Sequence, residues 1–212
     1  MDIKTFCDLF AYISTAFSVI AFVVAMLRIR HVHSYVIPVF ILVIVAFLVE
    51  MVNLLVDGNM YIFHAYTLVE FTLLSFFYLL FYRPYFRSYF MLFFNLAFFA
   101  IAYMDYKVNG LTEIDNFSIS CESIILTFYA LISFLFIIKN LIFENLLSTP
   151  FFWINASILF YFSGNLLLFA FSNYLNRNNS AEYFYLWAII HSFLNIFFNI
   201  FICIGFWKLR AK

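Results

Sequence analysis

Acidic, histidine and amide side chains interrupt the long apolar stretches of this 212-residue chain. A charged group at the centre of a membrane helix costs about 2.5–3.5 kcal/mol on insertion scales, so each such residue needs a physical reason. These side chains offer hydrogen-bond donors, acceptors and negative charge, which are the groups that bind a small ligand or an ion. The candidate ligand-binding residues are Glu50, Asn53, His64, Glu70, Glu122, Asn165, His191 and Asn195.

The candidates are unevenly distributed in depth. Counted from the predicted helix ends, most of them, including Glu50, Glu122 and His191, fall in the half that the loop charges place outside. This clustering predicts one outward-facing polar cavity. Glu70 lies well away from His64 around their helix, so these two need not share a pocket. The alternative is that the polar groups only join helices, through hydrogen bonds worth less than about 2 kcal/mol each. The sequence leaves both interpretations open.

Several specific chemistries find no support in the residue spacing. His64, His191 and the glutamates offer zinc-ligand atoms, but no pair has a local spacing such as H-x-x-x-H. Haem between the two histidines would need side chains at equal depth, and these are offset. A retinal Schiff base needs a lysine within the seventh helix, whereas Lys208 lies at its inner edge. Hydrolase and phosphate-loop motifs are absent. We therefore predict no catalytic residues, no metal site and no cofactor.

The elements that position these residues are seven apolar runs of about 20 residues, the length that crosses a bilayer as a helix. The chain is 67% hydrophobic and 10% charged, with a mean hydropathy of +1.03, which excludes a soluble globular domain. An all-α integral membrane seven-helix bundle is therefore predicted, as a single domain over residues 1–212. The predicted spans are Phe6–Leu27, Val36–Val56, Tyr61–Tyr82, Ser88–Tyr106, Phe117–Ile138, Phe151–Tyr174 and Tyr183–Trp207.

Charges in the connecting loops predict the orientation. Eight of the eleven basic residues fall on one side, in short loops where such an excess marks the cytoplasmic face. The acidic residues of the loops mirror this pattern, with only Glu144 on the basic side. The N-terminus is therefore expected outside and the C-terminus inside. The inner basic residues are Arg28, Arg30, Arg83, Arg87, Lys139, Lys208, Arg210 and Lys212, and the outer ones are Lys4, Lys107 and Arg177.

The predicted helices are uninterrupted. The three prolines, Pro38, Pro84 and Pro150, each come at the inner start of an outward-running helix, where a missing backbone N–H costs little. Many secondary transporters bind their substrates at helices broken by glycine or proline. Unbroken spans therefore disfavour a carrier.

Five segments of the chain carry recognisable motifs: Glu70–Phe71, Phe152–Asn155, Tyr161–Asn165, His191–Asn199 and Gly205–Lys208. Together they resemble an uncharacterised family of small bacterial seven-span integral membrane proteins, over the full length of the chain. The resemblance implies the seven-span fold but no reaction or ligand. Because such proteins are often encoded near sensor histidine kinases, it also implies a role in signalling and a sensor kinase as partner.

The leading hypothesis is a non-enzymatic membrane receptor or sensor, multi-pass in the bacterial cytoplasmic membrane. It would bind a small ligand or an ion in the outer-half cavity and signal, through its inner loops and the Trp207–Lys212 tail, to a sensor kinase or another membrane partner. Two alternatives stay open: an intramembrane metal-dependent hydrolase that uses His64, His191 and the glutamates, and a small-molecule or proton-coupled transporter. The lipid bilayer is the expected surrounding, and no nucleic-acid partner is expected.

The loop charges lead to a test of topology. In a variant whose native cysteines are replaced by serine, Gly110→Cys should react with an impermeant maleimide added to intact cells, because its loop lies on the side poor in basic residues. Lys212→Cys should react only after permeabilisation. Labelling of Lys212→Cys in intact cells would contradict the predicted orientation.

Overall fold

Seven α-helices form the computed structural model of this chain, which describes residues 2–55, 60–85, 89–110, 116–177 and 181–209. Each helix matches a predicted span to within a few residues, so the all-α, seven-helix prediction is confirmed. Short 3-10 turns occur at Ile29–His31, Ser34–Val36 and Leu146–Ser148. The helices are α1 (Ile3–Leu27), α2 (Ile37–Leu55), α3 (Met60–Tyr82), α4 (Tyr89–Asn109), α5 (Asn116–Asn140), α6 (Pro150–Arg177) and α7 (Ala181–Trp207).

Helix length and composition mark a multi-pass membrane protein. Among the residues that the structure describes, six helices, α1 to α5 and α7, are long and apolar enough to cross a bilayer. Large apolar side chains lie exposed on the outside of the bundle, among them Phe93, Leu96 and Met104 of α4, each more than 60% exposed. Such a surface is costly in water and fits contact with lipid tails.

The helices run alternately up and down. Asn195 of α7 bonds to Ser14 of α1, and one turn further along both helices Asn199 bonds to Ser18, so α1 and α7 are parallel. The connections between consecutive helices are short, which makes neighbours in sequence antiparallel. We call the end where α1, α3, α5 and α7 begin the N-terminal end of the bundle, and the opposite end the C-terminal end.

Helix α7 packs between α1 and α6, and two glycines permit its close approach to α6. A Cβ atom at Gly164 would lie 2.6 Å from Cδ2 of Leu194, and one at Gly205 would lie 2.8 Å from Cγ1 of Ile154. Both distances are below ordinary van der Waals contact. The rotation and depth of α7 are therefore set in part by these two contacts.

The C-terminal half of the bundle is filled by stacked aromatic rings. Phe151 of α6 lies 3.6 Å from Phe81 and 5.2 Å from Phe77, both of α3, between ring centroids. Tyr35 contacts all three rings. We call Tyr35, Phe77, Phe81 and Phe151 the aromatic cluster. It packs this half of the bundle as a conventional apolar core.

A buried amide joins three helices beside the aromatic cluster. The Tyr78 hydroxyl donates to Oδ1 of Asn155 at 2.8 Å, and Nδ2 of Asn155 donates to the Ala130 carbonyl at 3.0 Å. Asn155 thereby links α3, α5 and α6. One turn along α3, Tyr82 donates to Ser133 of α5 at 2.9 Å. These bonds fix the relative rotation of three helices where no water is at hand to replace them.

Replacing Asn155 should therefore destabilise the bundle. Asn155→Leu keeps the branching of the side chain but removes both bonds, and membrane hydrogen bonds average about 0.6 and reach about 1.7 kcal/mol. We expect a loss of about 1–2 kcal/mol in the free energy of unfolding, measured by thermal or chemical denaturation in detergent. The matched control is Ser163→Ala, whose exposed hydroxyl bonds only within its own helix. Equal losses in both variants would argue against a structural bridge at Asn155.

Candidate functional site

A cavity of about 420 Å³ lies in the N-terminal half of the bundle. Helices α1, α2, α3, α5, α6 and α7 contribute its lining residues, and α4 contributes none of those that the structure describes. Glu70 and His64, which the sequence allowed to occupy separate pockets, both line it. That these residues bind a ligand stays a prediction. All eight sequence-derived candidates lie in its wall: Glu50, Asn53, His64, Glu70, Glu122, Asn165, His191 and Asn195.

Three carboxyl groups from three helices form what we call the acidic wall: Glu50 of α2, Glu70 of α3 and Glu122 of α5. The hydroxyl of Thr15 on α1 donates to Glu50. The hydroxyl of Tyr66, one turn before Glu70 on the same helix, donates to that carboxyl at 3.1 Å. Glu122 is only 1% exposed. Three helices therefore each bring an acidic side chain to the cavity surface.

Two polar side chains adjoin the acidic wall. The Tyr161 hydroxyl of α6 lies within electrostatic reach of Glu70, Glu122 and Glu50. Ser123, next to Glu122 on α5, is fully buried and lines the cavity, and its hydroxyl has no hydrogen-bond partner among the described residues. A buried hydroxyl without a partner is uncommon in folded proteins. It offers a bonding position for a molecule in the cavity.

The imidazole of His191 is held in one orientation. Nδ2 of Asn165 donates to the Tyr161 carbonyl at 3.0 Å, which turns Oδ1 of Asn165 toward His191. Nδ1 of His191 lies 2.9 Å from that oxygen. Because a carbonyl oxygen can only accept, Nδ1 carries the proton in this bond. In the neutral ring, Nε2 is then the acceptor.

An aromatic wall, which we define as Phe169 of α6 with Phe184 and Trp187 of α7, lines the cavity around His191. Trp187 stacks on the imidazole, with 5.3 Å between the ring centroids and an angle of 9° between the ring planes. Phe169 contacts the Trp187 ring edge-on, with 5.6 Å between the ring centroids, and the centroid of Phe184 lies 6.3 Å from that of Trp187. The indole Nε1 of Trp187 is buried without a hydrogen-bond partner in the described part of the chain. Sequence reasoning drew no site from the aromatic residues, and this wall is what it missed.

The amides of α7 serve the packing of α1 more than the cavity. Nδ2 of Asn195 donates to Ser14 at 2.8 Å, and its Oδ1 lies 3.3 Å from Nδ2 of Asn199. Asn199 also donates to Ser18 at 3.2 Å. Both ends of the Asn195 amide are thus engaged by protein groups. For this residue the joining of helices, the alternative that the sequence left open, accounts for the observed contacts.

Metal-ligating side chains do not converge in the described ranges. No group of three or more histidine, cysteine, aspartate or glutamate residues in those ranges is placed to hold a metal ion. Cys7, Cys121 and Cys203 are free thiols.

Comparison of the chain with protein-family models, with curated proteins and with solved structures finds no match. The resemblance drawn from the sequence motifs therefore identifies no family. The structure shows the architecture of the chain, which is a helical bundle with the features of a membrane protein.

Two cavity residues should respond differently to replacement by leucine. Asn195→Leu removes bonds that join α7 to α1, so we expect a loss of about 1 kcal/mol in unfolding free energy. Glu122→Leu removes a buried carboxyl and its desolvation cost, so stability should be unchanged or higher. Thermal denaturation of both variants in one detergent tests this. A larger loss in Glu122→Leu than in Asn195→Leu would indicate that Glu122 is structural.

Proposed function

We propose that this protein is a non-enzymatic membrane receptor whose small ligand occupies the cavity and whose response passes to a separate membrane or cytoplasmic partner. The observation that supports this is the convergence of seven polar candidates, from five helices, on one cavity, beside the helix-joining Asn195. The volume of about 420 Å³ falls within the range typical of small-molecule sites. Asn195 lines the same cavity while its amide joins α7 to α1, so the proposal rests on the other seven candidates.

Helix α7 offers a route from the cavity to the opposite end of the bundle. It contributes Trp187 and His191 to the cavity and ends at Trp207, over whose ring the Arg28 guanidinium lies at 4.2 Å. A ligand that draws α7 toward the acidic wall would displace α7 against α1. The contact between Trp207 and Arg28 would then change at the end that the loop charges place inside, where a partner would detect it.

A carrier would use the same cavity, and helix continuity favours the receptor. Each of the seven helices is continuous between its described ends, with no break at cavity depth. Broken helices are the feature by which many carriers expose backbone groups to substrate. Flux measurements separate the two functions.

The proposal is tested with a variant in which the cavity is filled. Ala46 of α2 lines the cavity, so Ala46→Trp should occupy it. Compounds that raise the melting temperature of the wild-type protein in a small-molecule thermal-shift screen should lose that effect in Ala46→Trp. A ligand at a hundred times its Kd stabilises by about 2.7 kcal/mol, which such a screen detects. The control is Ala100→Trp on the exposed face of α4, where stabilisation should persist.

Two outcomes would contradict the receptor. If every stabilising compound acts equally on Ala46→Trp and Ala100→Trp, the cavity is not the binding site. If the compound accumulates in proteoliposomes that contain wild-type protein but not in those that contain Ala46→Trp, the protein is a transporter.

A further inference from the structure

We infer that the ligand is an organic ammonium ion with an apolar body. This inference rests on the proposed receptor function and adds the chemical class of the ligand. Three observations support it: the ionisable groups of the cavity, its aromatic wall, and the lining groups that have hydrogen-bonding capacity left for a ligand.

The ionisable groups of the cavity favour a cation. Among the lining residues that the structure describes, the acidic wall supplies three carboxyls, His64 and His191 supply two imidazoles, and none is lysine or arginine. Three carboxyls thus stand against two imidazoles, and no side chain that is permanently cationic lies among the described lining residues. Opposite charges attract strongly where water is excluded, and an anionic ligand would be repelled by the same margin. A carboxylate or phosphate ligand does not fit this surface.

The aromatic wall distinguishes an organic cation from a metal ion. The side chains of Trp187, Phe184 and Phe169 present ring surfaces without oxygen atoms, whereas hard metal cations need several oxygen ligands at short range. A bare ion would also leave most of a cavity of about 420 Å³ unfilled. An ammonium group can interact with aromatic faces, an attraction worth about 2 kcal/mol where it is desolvated. Its apolar body would cover the remaining ring surface.

The open hydrogen-bonding groups include acceptors that suit an ammonium donor. The Ser123 hydroxyl is buried, lines the cavity and has no partner in the described part of the chain. His191 directs its Nδ1 proton to Asn165, which leaves Nε2 of the neutral ring as an acceptor. An ammonium group carries donors only, so it complements these groups and the acidic wall together. A neutral alcohol of the same shape would gain the hydrogen bonds but not the charge attraction.

The test uses three probes of similar size that differ in charge: 2-phenylethylammonium, 2-phenylethanol and 3-phenylpropanoate. Each is titrated into the purified full-length protein, with the Kd measured calorimetrically, beside a panel of larger and smaller organic ammonium ions each paired with its neutral analogue. A cation–π attraction of about 2 kcal/mol corresponds to more than a tenfold difference in Kd. We therefore expect the best ammonium ion to bind at least about tenfold more tightly than its neutral analogue, and the carboxylate to bind weakest.

Variants then identify the side chains that cause the preference for an ammonium ion. Glu122→Gln and Glu70→Gln keep the side-chain shape and remove the charge, so each should weaken ammonium binding by about tenfold while leaving the neutral analogue unchanged. Trp187→Leu, which preserves the charge of the site, should also weaken ammonium binding. Glu144→Gln, in the exposed loop between α5 and α6, is the matched control and should have no effect.

The outcomes separate the ligand class from the function. A neutral or anionic probe that binds as tightly as its ammonium counterpart overturns the ammonium inference, while the receptor proposal stands. The same holds if no ammonium ion of the panel binds but the screen finds another ligand that is lost in Ala46→Trp. If no compound of any class depends on the cavity, the receptor proposal itself fails.

Discussion

A polar group buried in the hydrocarbon region of a membrane is satisfied chiefly by groups of the protein or of a ligand. Asn155 meets this constraint by bridging Tyr78 and Ala130. At the opposite end, Asp105 of α4 accepts from both the backbone N–H and the hydroxyl of Ser118 in the first turn of α5. These satisfied pairs fix the helices around a space in the N-terminal half, where the same constraint is met less completely.

The axial positions of the residues were predictable from the sequence, and their rotation about the helix axes was predictable only in part. Apolar run length determines where a helix starts and ends, so the predicted Tyr61–Tyr82 span and the observed Met60–Tyr82 helix differ by a single residue. Depth then follows from counting along the helix. Rotation depends on contacts such as that between Gly164 and Leu194, which only the folded bundle reveals. For this reason the sequence did not require Glu70 and His64 to share a cavity, although they do.

The aromatic wall could not be recognised in the sequence because the chain is rich in aromatic residues throughout. With 34 phenylalanine and 15 tyrosine residues in the chain, the few rings that line the cavity do not stand out from those that face lipid or core. Helical spacing indicates two of the rings that line the cavity. Trp187 precedes His191 by four residues and Tyr66 precedes Glu70 by four, so each ring shares a helix face with an ionisable candidate. An aromatic residue one turn from a polar candidate is therefore itself a candidate for the lining of the same cavity.

In the proposed receptor, the placement of the two walls on different helices would let a ligand alter the bundle. A ligand shifts a conformational equilibrium only by the difference between its affinities for the two states. The acidic wall belongs to α2, α3 and α5, and the aromatic wall to α6 and α7, so any relative movement of these groups changes the fit of a molecule that contacts both. The aromatic cluster resists such movement in the C-terminal half, because close-packed rings have few alternative arrangements. Helix α7 packs on α1 and α6 and reaches both ends of the bundle, so in the proposed receptor it would carry a displacement from one end to the other.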